Sequence, residues 1–295
     1  MLIITGCHRH IGGTLSTILE RRGYEVSRIN RATTIGQQPH SNARLQCIIH
    51  ADVYLQSNRP RTAIDNNILG TKAVKAFARN TQVPVIHLSS IVAQGPSQEN
   101  EPHQDVNPNS PIGPIANSLL RAETLLRSQS SVESDIFRLA VPYGYNSGFE
   151  QAYRNIQRSR IRPLFENLQL TFIHLDDVAD LIELRMADRS QGSIYGHLSD
   201  GVVRNSEEFL NAMELRGPNA LRLPIPLSNS IWALTERIAA PFGTWSMLRH
   251  FAHASNWTSR GFENTSNIPF SPRVNWRTYL ARLNPSLSGD STPLR

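Results

Sequence analysis

Short apolar runs mark strands along the first part of the chain. The runs Leu2–Thr5, Cys47–His50 and Ser134–Leu139 are typical of buried strands, and further strands are predicted at 24–29 and 83–88. Helical patterns lie between these runs. They predict helices at 63–79 and 119–126, and one more helix with its apolar face at Ile11, Leu15, Ile18 and Leu19. Strands that alternate with helices of this length favour right-handed βαβ units. The predicted fold class is therefore α/β, with a doubly wound parallel sheet.

The pattern changes in the second half of the chain. A strand at 171–174 and a helix at 176–186 continue the α/β pattern, whereas residues 202–283 carry several prolines and all four tryptophans. This shift predicts a core made of residues 1–146 and 167–200 and a smaller discontinuous C-terminal lobe made of 147–166 and 201–285. Residues 286–295 are predicted to form a tail.

Composition narrows the class of protein. The chain has 295 residues, of which 39% are apolar and 18% charged, as in globular proteins. No apolar run reaches the roughly 18 residues of a spanning helix, and no secretory signal is recognisable at the N-terminus. We therefore expect a cytoplasmic protein with no membrane partner.

The distribution of basic residues and cysteines argues against a nucleic-acid-binding or metal-binding protein. The net charge of +6 comes from basic residues dispersed along the chain, and only Lys72 and Lys75 are lysines, both predicted to lie on the surface. Without a basic stripe interleaved with aromatic residues, we expect no nucleic-acid partner. Cys7 and Cys47 form no disulfide framework and no zinc-type spacing, so no metal is expected.

The turn after the first predicted strand has the pattern of a phosphate-binding turn. In dinucleotide-binding sheets one glycine bends this turn, a second lets the backbone approach the pyrophosphate, and a third allows close helix packing. Gly6 and Gly12 supply the outer two, but Arg9 stands at the middle position. An arginine there could donate to a phosphate or fill the space that the pyrophosphate needs, and the sequence leaves both interpretations open.

Several ordered motifs resemble the extended short-chain dehydrogenase/reductase superfamily, in its NDP-sugar epimerase/dehydratase branch. The turn is similar to TGxxGxxG, residues 67–71 match N-x-x-G-T, and residues 172–179 are close to F-I-H-V-D-D-V-A. The segment at Ile49, His50 and Ala51, the Ser89-Ser90 pair before Gln94-Gly95, and the R-x-x-x-x-Y-G pattern from Arg138 to Gly144 add to the resemblance. It implies a Rossmann core closed by a substrate-binding lobe.

The resemblance also implies a cofactor site and partners. The implied cofactor is NADP or NAD, and Arg31 favours the 2′-phosphate of NADP, although a protein with no cofactor stays open. The implied cofactor-binding residues are Gly6, Arg9, Ile11, Gly12, Asn30, Arg31, His50 and Asn67. The implied partners are a small-molecule substrate, such as a nucleotide sugar, and a second copy of the chain in a homodimer.

The family's proton-transfer residues are replaced in this sequence. Its Tyr-x-x-x-Lys pair, placed with Ser118 and Glu123 in register, falls on Ile115 and Leu119, neither of which can transfer a proton. Ser90 keeps its family position. With His8 and His10 from the glycine turn, it is the remaining candidate for catalysis.

Two other groups of polar residues carry weaker functional interpretations. Asp176 and Asp177 resemble a carboxylate pair, but one of them is predicted to be a helix N-cap. His87 and His174 are predicted to make satisfied contacts in the core or under the lid. The arginines that could contact a nucleotide diphosphate in the lobe are Arg154, Arg158, Arg160 and Arg162.

Three functions follow as hypotheses. The first is an epimerase/dehydratase-like protein repurposed for non-redox isomerase, lyase or cyclase chemistry in the Rossmann cleft. The second is an NAD(P)-dependent nucleotide-sugar epimerase or reductase that has moved its acid/base to another residue. The third is a non-catalytic protein that senses a dinucleotide or serves as a scaffold.

Overall fold

The computed structural model describes the greater part of the core and short pieces of the remainder. The described residues are 1–37, 44–54, 60–95, 111, 113–128, 132–144, 162–165, 169–205, 220–223, 256–257 and 270–274. The first strands are β1 (Leu2–Thr5), β2 (Val26–Ile29), β3 (Cys47–His50), β4 (Val85–Ser90) and β5 (Ser134–Leu139). They are followed by β6 (Val141–Tyr143), β7 (Arg162–Phe165), β8 (Gln169–Leu170), β9 (Phe172–His174), β10 (Tyr195–Leu198), β11 (Arg204–Asn205), β12 (Ala220–Leu223) and β13 (Asn256–Trp257). The helices are α1 (His10–Arg21), α2 (Pro60–Thr81), α3 (Gly113–Arg127) and α4 (Leu175–Ala187), with 3₁₀ turns at Ala32–Thr34 and Ile91–Ala93.

Six strands form one parallel sheet in the order β2-β1-β3-β4-β5-β10. Alternate residues of a strand face opposite layers, so Leu2 and Ile4 join one apolar cluster and Ile3 joins the other. The first cluster contains residues of α1 and α4, and the second contains residues of α2. Helix α3 packs beside α2. The sheet is thus covered on both faces, which confirms the predicted doubly wound Rossmann fold.

The strand order places a crevice between two particular strands. From β1 the chain moves outward to β2, and it then returns to the other side of β1 to form β3 and β4. The order reverses between β1 and β3. In open α/β sheets the ligand crevice lies outside the carboxyl ends of the two strands at such a reversal. Here those ends are Thr5 and His50.

Element bounds differ from the prediction where polar residues or proline lie at the ends. Helix α3 begins at Gly113 rather than 119, with Pro114 in its first turn, where the missing N–H costs no helical hydrogen bond. Strand β4 extends through Ser89 and Ser90, which pair with Arg138 and Leu139 of β5. Polar residues can extend a strand that is buried on both faces when their side chains find partners.

The lobe lies largely outside the described residues, so the domain boundaries stay predictions. Small sheets pair β8 with β11 and β13, β7 with β12, and β6 with β9. Residues 286–295 lie outside the described part. None of the described helices is long and apolar enough to span a membrane.

The two lysines differ in their surroundings. Lys72 is exposed, as predicted. Lys75 is half-buried, and its ammonium group donates to the carbonyl of Leu125 in α3. The prediction that both lie on the surface is therefore wrong for Lys75, because the packing of α2 against α3 covers its stem.

Candidate functional site

The glycine turn closes tightly against the end of β3. Gly6 has φ of +78°, and a Cβ at this residue would lie 2.7 Å from the carbonyl oxygen of Ala51. A Cβ on Gly12 would lie 2.6 Å from the Gly6 carbonyl oxygen. Only glycine fits either position, because the contacts are with backbone that cannot turn away. The turn therefore has the tight packing that the sequence pattern predicts.

Arg9 occupies the middle position of this turn without backbone strain. Its φ of −110° and ψ of 162° are extended values open to any residue, and its backbone caps α1. The Arg9 N–H donates to the Gly6 carbonyl at 2.9 Å, and the Arg9 carbonyl accepts from Gly13 N–H at 2.9 Å. The side chain makes no helix-capping hydrogen bond and is able to reach elsewhere.

The Arg9 side chain turns across the crevice onto the segment after β3. Its guanidinium carbon lies 3.4 Å from the centroid of the Tyr54 ring, within the range of a cation–π contact. Its Nε lies 3.9 Å from Oδ1 of Asp52, as an ion pair without a hydrogen bond. Arg9, Asp52 and Tyr54 are called here the crevice cluster.

Asp52 is buried beside the turn, although it carries an ionisable group. Its Oδ2 accepts from the Ala32 N–H at 2.7 Å, whereas its Oδ1 has no hydrogen-bond partner among the described residues. Burial raises the pKa of Asp52, and the Ala32 N–H and the nearby His8 and Arg9 oppose that rise. The Ala32 N–H, His8 and Arg9 together therefore compensate part of the charge of this carboxylate.

Tyr54 is held firmly in place by its backbone. Its N–H donates to Asn67 Oδ1 at 2.8 Å, and its carbonyl accepts from Asn67 Nδ2 at 3.1 Å. The phenol oxygen lies 3.5 Å from Nε2 of His8, and the ring packs against Ala63 and Ile115. The sequence interpretation missed Tyr54, although its position just after a strand at the reversal point could have indicated it.

The residues that replace the tyrosine and lysine of the resemblance are buried. Ile115 is 3% exposed and Leu119 is fully buried on α3. The Ser90 hydroxyl accepts from the Val92 N–H at 3.3 Å and so caps the 3₁₀ turn after β4. His8 and His10 follow β1, which is two strands away from β4 in the sheet, or about 10 Å. Ser90 caps the 3₁₀ turn, and its participation in catalysis with the two histidines stays a prediction.

The family model for the NAD dependent epimerase/dehydratase family matches residues 2–198, about two thirds of the chain. The chain belongs to this family. The match spans the whole six-stranded sheet, including both sides of the crevice. No curated protein matches the chain.

Solved structures of epimerase/dehydratase proteins share the fold. DesIV, a dTDP-glucose 4,6-dehydratase from Streptomyces venezuelae with NAD and TYD bound, is 15% identical, with 97% of this chain and 98% of that chain covered and a TM-score of 0.73. MoeE5 in complex with UDP-glucose and NAD is 18% identical, with 95% and 96% covered and a TM-score of 0.67. The UDP-glucose 4-epimerase of Thermus thermophilus in complex with NAD is 17% identical, with 76% and 86% covered and a TM-score of 0.61. At these identities the likeness shows the fold alone.

The crevice cluster departs from what a dinucleotide needs in an epimerase/dehydratase turn. A pyrophosphate needs close approach to the backbone at the middle of the turn and an excess of positive charge. Here a side chain fills the middle position, and its charge is directed to a buried carboxylate and an aromatic face. In this arrangement the residues present do not fit a dinucleotide pyrophosphate, although the outer glycines do.

Two of the predicted cofactor-binding residues lie beneath the crevice rather than at its surface. His50 is buried, with Nδ1 2.8 Å from Thr5 Oγ1 and Nε2 3.0 Å from Thr71 Oγ1. Both ring nitrogens are therefore engaged. Asn67 is buried, and its amide also donates to Ser118 Oγ at 2.9 Å. Direct ligand contact stays a prediction for both; in the described structure His50 bridges Thr5 and Thr71, and Asn67 fixes the Tyr54 backbone.

The other predicted residues lie around the rim. His8 and His10 are exposed at the start of α1, and Asn30 and Arg31 are exposed after β2, whereas Ile11 packs partly into the core. Arg154, Arg158 and Arg160 lie outside the described residues, and Arg162 begins β7. No group of three His, Cys, Asp or Glu side chains that could hold a metal occurs in the described part.

The aspartate pair at the start of α4 has a structural role that the sequence interpretation missed. His174 caps the helix, with its Nδ1 accepting from the Asp176 N–H at 3.1 Å. Asp177 is buried and accepts from the backbone N–H of Arg273 at 2.9 Å. The prediction that an aspartate is the N-cap is therefore wrong, because the preceding histidine already supplies the acceptor.

Proposed function

We propose that this epimerase/dehydratase family member binds a nucleotide-sugar-type small molecule with its sugar in the Rossmann crevice and its diphosphate away from the glycine turn, and acts on it without hydride transfer. The reaction class is isomerisation, elimination or cyclisation by acid–base catalysis. The observation that carries the proposal is the burial of Ile115 and Leu119 at the positions of the family's proton-transfer pair. Solved structures of the same fold include one with UDP-glucose bound and a dTDP-glucose 4,6-dehydratase, which supports the substrate class.

The two replacements remove more than one catalytic contribution. An aliphatic side chain neither accepts nor donates a proton, and loss of general acid–base catalysis costs roughly 10²–10⁴-fold in rate. Leu119 also offers no ammonium to hold a ribose hydroxyl. The described geometry supports loss of the usual hydride chemistry because both positions fail together.

Tyr54 and His8 are the pair that can supply proton transfer instead. The phenol oxygen is 3.5 Å from the imidazole Nε2, a separation that a small shift on ligand binding would close to a hydrogen bond. Tyr54 shares a small buried apolar cluster with Ile115, the residue at the position of the replaced tyrosine. In this proposal the phenol donates its proton to a substrate oxygen, and His8 returns a proton to Tyr54 from solvent.

The experiment uses the purified full chain with UDP-glucose and dTDP-glucose as probes. Thermal shift reports binding, absorbance at 340 nm reports cofactor reduction after NAD or NADP is added, and NMR follows the sugar. We expect at least one sugar nucleotide to raise the melting temperature with no change at 340 nm. Conversion of the sugar that requires NAD or NADP, whether or not the absorbance at 340 nm changes, would overturn the proposal in favour of a conventional enzyme with a relocated acid/base.

A matched pair of variants tests the proton-transfer residues on any probe that is converted. Tyr54→Phe keeps the ring against Arg9 and Ile115, so binding is expected to persist while conversion falls by roughly 10²-fold or more. Asn117→Ala on the exposed face of α3 serves as the control and leaves both unchanged. A shift with NAD or NADP alone, with no response to either sugar nucleotide, would favour the sensing hypothesis instead.

A homodimer is part of the proposal and rests on the resemblance. Light scattering of the purified chain tests it directly, and a monomer at micromolar concentration would remove this element while leaving the proposed chemistry in place.

A further inference from the structure

We infer that Arg9 is a built-in occupant of the phosphate position and that Asp52 and Tyr54 hold it there, so that the crevice is closed to dinucleotides. This makes Arg9 a residue that determines which ligands the crevice admits. The inference concerns cofactor binding and does not depend on the reaction that the protein carries out.

The contacts that hold Arg9 lie across the crevice. The strand order reverses between β1 and β3, and the two sides of the resulting crevice are the glycine turn and the segment after β3. Arg9 belongs to the turn, whereas Asp52 and Tyr54 belong to the segment after β3. The contacts between them therefore cross the crevice where a dinucleotide would pass.

The positive charge of Arg9 is compensated within the crevice cluster. A helix N-terminus attracts phosphate through its backbone N–H groups and dipole, and an added arginine would strengthen that attraction if its charge were uncompensated. Here the guanidinium lies over the Tyr54 ring at 3.4 Å and beside the Asp52 carboxylate at 3.9 Å. The pair is close to neutral, and a pyrophosphate would meet a buried carboxylate as well as an arginine.

Asp52 and Tyr54, which hold Arg9, are themselves held by hydrogen bonds. Asn67 makes two hydrogen bonds to the Tyr54 backbone, and Ala32 N–H fixes Asp52 Oδ2 at 2.7 Å. Neither holding residue can follow Arg9 outward without losing buried hydrogen bonds. Within the crevice cluster, only the Arg9 side chain, which is 31% exposed, is able to leave.

Arg9 can be replaced without disturbing the backbone of the turn. The Arg9 side chain makes no capping hydrogen bond, and its backbone is extended, so glycine or alanine keeps the turn intact. Asp52 and Arg9 each keep a buried polar atom without a hydrogen bond in the described structure. Opening the crevice therefore removes a contact that is poorly satisfied, and leaves the tight packing of Gly6 and Gly12 unchanged.

The test measures NAD affinity by calorimetry in four proteins: wild type, Arg9→Gly, Arg9→Ala and Arg79→Ala. Arg79 is exposed at the far end of α2, so its loss matches the change in net charge without touching the crevice. Loss of a cation–π contact and an ion pair corresponds to about tenfold in affinity. We expect Arg9→Gly to bind NAD about tenfold or more tightly than wild type, Arg9→Ala to show a smaller gain because its Cβ limits the approach to the backbone, and Arg79→Ala to bind as wild type does.

Two other results would overturn the inference. Equal or weaker NAD binding by Arg9→Gly would show that Arg9 grips the phosphate or has no part in binding, and would overturn the inference. A gain in Arg9→Gly but none in Arg9→Ala would assign the effect to the Cβ rather than the guanidinium, and would overturn it as well. Circular dichroism confirms that each variant is folded before the titration.

Different results would contradict the closed crevice and the proposed function. A wild-type chain that binds NAD tightly but converts a sugar nucleotide equally well without it contradicts the closed crevice and keeps the non-redox proposal. A wild-type chain that converts a sugar nucleotide only when NAD is present contradicts the proposed function, whatever the Arg9 variants show.

Discussion

At the scale of single residues, His87 on β4 is a poorly satisfied group in the core. It is 1% exposed, its ring lies 4.8 Å from that of His50, and neither ring nitrogen has a hydrogen-bond partner in the described part. Burial lowers the pKa of His87 to about 4, and burial together with His87 holds the pKa of His50 well below its ordinary range. Both rings are therefore neutral when the protein is folded at neutral pH.

His87 gives the fold a predictable dependence on acid. Its pKa is about 4 when folded, against about 6.5 for an ordinary histidine, so the unfolded chain binds more protons between these values. The stabilising effect is complete above pH 6.5 and is lost as the pH falls towards 4, by about 3 kcal/mol in total. The free energy of unfolding, measured with urea at about pH 7 and about pH 4.5, is expected to fall less in His87→Phe than in wild type as the pH is lowered.

The difference between the two proteins reports His87 together with its effect on the neighbouring His50, whose pKa is lowered by burial and by His87. Asp52, Glu123 and Asp177 have pKa values raised by burial, which favours the folded state at lower pH and opposes the histidine effect. These contributions are common to both proteins and cancel in the comparison. The same pH dependence in wild type and variant would contradict the assignment to His87.

Residue-scale predictions from the sequence succeeded where a backbone requirement was involved. The glycine requirement at Gly6 and Gly12 followed from the motif, and the structure shows the close backbone contacts that demand it. Direct ligand contact for His50 stays a prediction, and the partners of its ring, Thr5 and Thr71, were not predicted, because a sequence shows where a side chain starts and not which partners it finds. His87 was predicted to be satisfied and is not, within the described part of the chain.

At the scale of elements, one buried ion pair ties α3 to the sheet. Glu123 accepts from Arg138 of β5 through Nε at 3.1 Å and Nη2 at 2.7 Å, and it also accepts from Ser89 of β4 and Tyr195 of β10. Burial raises the pKa of Glu123 and lowers that of Arg138, with each partner opposing the effect. Desolvation is thus large for both groups, and each depends on the other.

Removing one charge of this pair is expected to be costly. Glu123→Gln leaves the buried Arg138 guanidinium uncompensated, and the free energy of unfolding is expected to fall by about 3–5 kcal/mol. Glu20→Gln is the control, because Glu20 pairs with Arg28 on the surface and should contribute less than about 1 kcal/mol. Urea denaturation measures both, and equal effects would show that the buried pair has no special weight.

The sequence predicted elements well where they are buried and apolar. The bounds of β1, β3 and β5 agree with the prediction. For β1 and β3 the reason is that apolar runs of strand length rarely have another use. The start of α3 and the end of β4 were misplaced because their residues are polar or follow proline. Arg138 inside β5 could not be recognised as a buried charge without its partner on α3.

At the scale of the whole molecule, a late segment of the chain returns to the core. Residues 270–274 lie against α4, where Asp177 accepts from the N–H groups of Arg273 and Val274. The Tyr143 hydroxyl donates to the Val274 carbonyl at 3.1 Å, and Phe270 packs on the core. Residues far apart in the sequence thereby fix this segment to the sheet.

Trypsin cleavage after Arg273 is expected to report this docking. Asp177→Ala removes a carboxylate acceptor of two backbone N–H groups, and cleavage at Arg273 should accelerate about tenfold as the segment opens more often. Asp180→Ala is the control, because it removes only the ion pair to the exposed Arg273 side chain from this segment. Mass spectrometry identifies the cleavage site, and equal acceleration in both variants would contradict the role of Asp177.

The return of this segment was beyond reach of local patterns. Composition indicated a change after the core, but hydrogen bonds between Asp177 and residues nearly a hundred positions later leave no periodic signal. The overall architecture was predictable because alternating strands and helices admit few topologies.

The arginine in the glycine turn has a consequence for how easily the lineage could change. Every arginine codon differs from a glycine codon at its first base alone, so one point mutation in the gene replaces Arg9 by glycine. Converting Ile115 to tyrosine or Leu119 to lysine needs more than one base change at each codon. On the inference that Arg9 closes the crevice, a single base change opens it to a cofactor, whereas a proton-transfer pair requires several base changes.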